Sequence, residues 1–231
     1  MKIFSLAVFG MVEYYRSTWL FFESILIAVF LFFTLLSTNY ALLSAQDVYL
    51  NIGIFAVVGT FFTSFRLLER ETNPRIYVVL TKNVSRREYI AAKFSAAFTV
   101  SAAITTALFA LEYFLTSAKN QFGPFEAALR LTPAYLVIII SAMTVVLFSK
   151  LVMENPLSIG WAIVILMMGF AQPPGVLNYL APPVQQLVKM SFNPFEILDC
   201  LYIFFGFLYS TMAFFAASYL FKRRELNYEQ N

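Results

Sequence analysis

The placement of charge restricts this chain more than any other feature. Charged residues leave six long apolar runs almost untouched and crowd into one short stretch, LERETNPRIYVVLTKNVSRREYIAAK at residues 68–93. The runs fall at about Trp19–Ser37, Ile52–Leu68, Tyr89–Leu115, Leu131–Leu151, Leu157–Ala171 and Ile197–Phe221. A helix needs about 20 mostly apolar residues to cross a hydrocarbon core, and runs near that length recur along the chain. The expectation is an all-α polytopic membrane protein with six transmembrane helices in one domain covering residues 1–231. Composition agrees, because 60% hydrophobic and 13% charged residues is far from the balance of a soluble domain.

Lys and Arg also set an orientation. Of 16 such residues, only Lys119, Arg130 and Lys189 fall on one side of the six-span pattern. The positive-inside rule then puts the other side in the cytoplasm, with both termini, residues 69–88 and the connection Lys150–Asn155. The basic balance is topological and requires no nucleic acid. Ile3–Val12 follows a single Lys2 and lacks a small-x-small cleavage pattern, so residues 1–17 read as an interfacial helix.

Inserting residues 69–88 into hydrocarbon would bury eight charged side chains. At about 2.5–3.5 kcal/mol each, the cost is on the order of 20 kcal/mol, so the segment lies outside the bilayer. Its local pattern is nevertheless helical. Asn73 and Pro74 suit the N-cap and first helical positions, where Asn accepts an orphan amide bond and Pro lacks the donor that would go unused. Ser85-Arg86-Arg87-Glu88 is an S-x-x-E capping box opening the third span, with Ser85 as N-cap and Glu88 at its third helical position. Between the two starts there is room for a helix over residues 74–82, about 13 Å long and too short to be stable alone. Its apolar side chains, Ile76, Tyr77, Val79 and Leu80, need burial. Two readings stand: a helix on lipid headgroups, or a helix docked into a cytosolic partner.

Several features of the segment resemble the cytosolic connection in permeases of ATP-binding-cassette exporters of the six-span, type-two class. They are Glu69-Arg70-Glu71, a helix-breaking pair, an apolar phrase ending Val79-Leu80-Thr81, then Ser85-Arg86, and Lys93 before a span of small residues. The resemblance implies that residues 74–82 form a coupling helix, with Arg75, Ile76, Tyr77, Val79, Leu80 and Thr81 contacting a separate ATPase subunit. Glu69, Arg70, Glu71, Arg86 and Arg87 would form the cytosolic charge cluster beside it. It further implies a second permease subunit, identical or related, a prokaryotic inner membrane, and ATP and Mg bound by the partner ATPase with no cofactor in this chain. Such permeases often carry Gly-Thr after the acidic run and Pro before the Ser/Thr-Arg step. Here Thr72-Asn73-Pro74 and Lys82-Asn83-Val84 stand in those places, and the cargo and its binding residues stay open.

Elsewhere, rows of small residues in the third span (Ala91, Ser95, Thr99, Ala103, Ala107 and Ala102, Thr106, Ala110) suggest close helix packing within one subunit, or pathway lining by Ser95, Thr99 or Thr105. Glu23, one turn into the first span, is expected near the interface beside headgroups or Arg16. The external segment 172–195 is too apolar for a solvated loop, and its prolines divide it into Val176–Leu180 and Val184–Met190. These pieces are read either as re-entrant helices, which the resemblance favours, or as a lid on the outer leaflet. Cys200 is the only cysteine and there is no His, so no internal disulfide or His-based catalysis is available. Walker A, dinucleotide and metalloprotease motifs are missing, so the chain is expected not to be an enzyme. The competing functional readings are the substrate-capture subunit of a vitamin-type importer and a membrane protein with no transport role. In a Cys200→Ser background, Lys150→Cys and Lys119→Cys should react with an impermeant maleimide from opposite membrane faces; labelling from the same face would overturn the six-span pattern.

Overall fold

The computed structural model describes residues 2–17, 19–36, 43–69, 79–80, 84–153, 155, 157–171 and 181–223. Helices carry this part of the chain: α1 Lys2–Tyr15, α2 Trp19–Leu36, α3 Ala45–Glu69, α4 Arg86–Leu115, α5 Pro124–Arg130, α6 Thr132–Phe148, α7 Ser158–Ala171, α8 Val184–Met190 and α9 Ile197–Arg223. Among the described residues four stretches are long and apolar enough to cross a membrane: α3, α4, α9, and α5 with α6 taken together. They make the chain an integral membrane protein.

Helix ends gather in two groups. At one, the Arg86 guanidinium at the start of α4 meets the end of α9, and the Ser158 hydroxyl opening α7 donates to the carbonyl of Phe148 at the end of α6, 2.6 Å away. At the other, the Ala45 amide opening α3 donates to Gln121 Oε1, the Tyr49 hydroxyl donates to Ala127 O, and Arg130 reaches Asn193 O. Lys119, Arg130 and Lys189 belong to this second end, and the more basic end lies opposite.

Local chemistry explains where the elements begin. Span two starts earlier than its apolar run because Ser44 and Asp47 cap it reciprocally: Ser44 N–H donates to Asp47 Oδ2 at 3.0 Å, and Asp47 N–H to Ser44 Oγ at 3.3 Å. Pro124 opens α5, a short helix just ahead of the apolar run that begins at Leu131 and one that the sequence pattern leaves unassigned. The α6 sequence, TPAYLVIIISAMTVVLF, is apolar on every face, and such a helix belongs in an interior. Val137, Ile138, Ile140, Ala142, Val145 and Val146 are fully buried, and α6 packs against α3, α4, α7, α8 and α9.

The helix α8 is buried along one side, while Lys189 stays exposed. Val184 and Leu187 have no exposed surface, and α8 contacts α3, α6, α7 and α9. Its ends are bonded: Ser191 N–H donates to Val188 O, and Asn193 N–H to Lys189 O. Residues 172–180, including Val176–Leu180, lie outside the described residues. Two glycines make room for α8. A Cβ on Gly53 would lie 2.5 Å from the Val188 methyl carbons, and one on Gly169 would lie 2.6 Å from Pro182 O. Gly53→Ala should lower the melting temperature of the detergent-solubilised protein, by about 1–3 kcal/mol of overpacking, and Val188→Ala in the same chain should recover most of it. An unchanged melt for the single variant would mean that α8 does not seat against α3.

Candidate functional site

The basic end holds what is described of the charged segment. Residues 70–78 and 81–83 lie outside the described residues, and with them Arg70, Glu71, Asn73, Pro74, Arg75, Ile76, Tyr77 and Thr81. Val79 and Leu80 are helical and half-buried against the cluster that contains Leu68, Tyr89, Ile90, Leu151 and Phe221. Part of their apolar surface is therefore covered by their own chain, which the sequence had assigned to headgroups or a partner. Glu69 is exposed and pairs with Arg66 at 2.9 Å. Arg87 is also exposed.

Downstream, Ser85 is extended (φ −71°, ψ 152°), and its hydroxyl accepts the Glu88 amide at 3.2 Å while the Ser85 amide donates to Glu88 Oε2 at 2.7 Å. Two of the donors that a helix start leaves unpaired are thus satisfied. Arg86, in the next position, donates to the carbonyls of Phe221 and Lys222 and lies 5.4 Å over the Phe221 ring. A cation placed on the negative end of α9 is favourable, and the charge-assisted bonds tie that end to the start of α4.

A buried polar cluster joins α1, α2 and α3 nearby. Glu23 is 7% exposed and accepts a bond from the Tyr14 hydroxyl and another from Thr63 Oγ1 at 2.7 Å. Exposed Arg16, the partner suggested by sequence proximity, is not the one that holds it. Burial, and then the adjacent Glu23 carboxylate, push the Tyr14 hydroxyl well above the ordinary phenol range, so it stays a donor. Lys93 is also buried, and it lines two small cavities between α1 and α4 together with Glu13. Tyr14 and Thr63 carried no sequence signal, because hydroxyls are common in apolar helices and the contact spans 40 residues between Glu23 and Thr63.

The small-residue rows of α4 are corrected by the fold. Thr99, Ala103, Thr106 and Ala107 are exposed, while Ala92, Ala96, Ala97, Val100, Ser101 and Thr105 form the buried face. Small residues surround this helix on several faces, so spacing alone cannot select the one that packs. Ser95 and Thr99 bond to carbonyls one turn back, Ala91 O and Ser95 O, and Thr105 is enclosed. Glu112 is also buried, at 1% exposure, with neither carboxylate oxygen bonded among the described residues.

Two grooves open on the flanks. One of about 620 Å³ runs between α3 and α7, with only apolar lining such as Val57, Phe61, Leu166 and Met167. The other, about 530 Å³, lies between α6 and α9 at the less basic end, with Glu126 and Arg130 among its lining residues. Among the described residues no group of three or more His, Cys, Asp or Glu converges as metal ligands would. The described residues thus show helix ends tied together at the basic end and two grooves along the sides.

No family model, curated protein or solved structure matches this chain. The polar cluster makes its own test. Tyr14→Phe and Thr63→Val each remove one donor from buried Glu23, and each should cost about 1–3 kcal/mol of stability. In a double-mutant cycle read by thermal unfolding, the two should be non-additive; simple additivity would separate the two bonds into independent contacts.

Proposed function

We propose that this chain is the transmembrane permease subunit of an ATP-driven exporter of the ATP-binding-cassette type, coupled to separate ATPase subunits through residues 74–82. The observation that carries the reading is the mounting of the segment's downstream end. Ser85 and Glu88 cap α4 directly after the segment, and Arg86 bonds the last carbonyls of α9. A displacement applied to residues 74–82 would then move α4 and α9 as connected bodies instead of dissipating in a loose loop. Half-buried Val79 and Leu80 support the same mounting, since they anchor the segment's middle to its own bundle and leave Ile76 and Tyr77 to meet the partner.

In this reading α2, α3, α4, α6, α7 and α9 are the six spans. α1 lies at the cytoplasmic interface, both termini face the cytoplasm of a prokaryotic cell, and α8 is a re-entrant helix at the external mouth. The 18-residue α2 and 14-residue α7 are short for a full crossing, and local bilayer thinning or the adjoining connections accommodate them. Two such subunits, identical or related, face each other across the route, and the wholly apolar α3/α7 groove supports a surface turned toward lipid or a second copy. ATP and Mg bind in the partner, whose closure rocks the two bundles between inward-facing and outward-facing states.

The experiment is co-purification with the ATPase and measurement of its stimulated activity, comparing the native chain with Ile76→Ala plus Tyr77→Ala. These positions spare Val79 and Leu80, which pack on the permease itself. Losing two buried anchors at about 1.5–3 kcal/mol each should dissociate the complex and abolish stimulation while the permease melts unchanged. Retained complex and stimulation would reject docking through residues 74–82.

A further inference from the structure

The groove between α6 and α9 differs from its counterpart between α3 and α7 in having a charged rim. Its apolar wall includes Leu136, Ile139, Ile203 and Phe207, and its volume of about 530 Å³ is that of an ordinary ligand pocket. At the rim, Arg130 Nε and Nη2 lie 3.0 Å from Glu126 Oε1, one helical turn away. The guanidinium is braced from two further sides: it sits 4.2 Å over the Phe122 ring, and Nη1 points to Asn193 O at 3.4 Å. Glu126 is half exposed, so the pair offers a fixed positive and a fixed negative charge side by side at the mouth of a hydrocarbon-lined slot.

We propose that this groove binds a bilayer phospholipid with a zwitterionic head, one acyl chain lying between α6 and α9, its phosphate on Arg130 and its ammonium on Glu126. The flank faces the membrane, because exposed Phe204, Phe207, Met212 and Phe215 continue the apolar surface of α9. Charge complementarity selects the occupant. A purely anionic head would satisfy Arg130 but meet Glu126 with like charge, whereas an ammonium and a phosphate answer both. A second copy of the chain would have to desolvate the Glu126–Arg130 pair beneath a protein interface, which is costly for an ion pair. A phospholipid leaves the pair at headgroup level, where water still reaches it.

Native mass spectrometry of the detergent-purified chain, titrated separately with palmitoyl-oleoyl phosphatidylethanolamine and phosphatidylglycerol, tests this. The ethanolamine lipid should bind more tightly, and Glu126→Gln, at a half-exposed position harmless to folding, should erase the preference. Ile203→Trp should fill the slot and weaken binding by about tenfold, roughly the effect of losing 1.4 kcal/mol. Equal binding of the two lipids by the native chain, or a preference untouched by Glu126→Gln, overturns the proposal. So does an efficient intermolecular disulfide through Phe207→Cys in a Cys200→Ser background, which would seat a second copy in the groove. Because the measurement needs neither ATPase nor transport, its failure leaves the permease reading to its own test.

Discussion

Hydrocarbon offers no hydrogen bond to a peptide group, so every peptide that enters it is paired within its own helix or covered by protein. The long helices meet this condition by themselves. The seven-residue α8 is too short to do so alone, and it packs against α3, α6, α7 and α9. Glycine at positions 53 and 169 lets α3 and α7 approach its backbone and side chains closely. Ser191, Phe192 and Asn193 return their amides to the carbonyls at its C-terminal end. α6, apolar on all sides, forms the floor on which α8 rests, and the same helix packs against most of the bundle.

Each end of the bundle is fastened by polar ties between separate elements. At the basic end the ties are charged or partly charged: Glu23 with Tyr14 and Thr63, and Arg86 on the terminal carbonyls of α9. Such bonds are strong where water is scarce, and they connect elements that are distant in sequence. The result is an end in which α1, α2 and α3 are held by one carboxylate, and α4 and α9 by one guanidinium. At the opposite end, Tyr49 donates to Ala127 O and packs on Phe109, Ala45 N–H donates to Gln121 Oε1, and Arg130 pairs with Glu126 and reaches Asn193 O.

Much of the fold was legible in one dimension because the bilayer enforces a simple rule on composition. Long apolar runs marked most of the long helices to within about three residues, the start of α3 at Ala45 instead of Ile52 being the exception, and Ser85 with Glu88 marked the start of α4, since a capping box is satisfied entirely by neighbours three residues apart. Misjudged features all involved a choice of face or of a distant partner. Small residues at Thr99, Ala103 and Ala107 were eligible for packing, yet Ala92, Ala96 and Ala97 took the interior. Val79 and Leu80, read as needing cover from headgroups or a partner, have part of that cover from the cluster that contains Tyr89, Leu151 and Phe221. Glu23 was singled out, but Thr63 was not.

By itself the sequence determined that the chain is helical and membrane-embedded, where charge cannot enter the membrane, and where α4 begins, because solvation of charge and local capping depend only on composition and near neighbours. Tertiary structure alone decided that Val184, Leu187 and Val188 of α8 are buried among α3, α6, α7 and α9, that one carboxylate joins three helices, and that Glu126 and Arg130 stand at the mouth of a groove. Each of those outcomes depends on which faces of separate helices meet, and helices as evenly apolar as these carry too little contrast around their circumference to specify it.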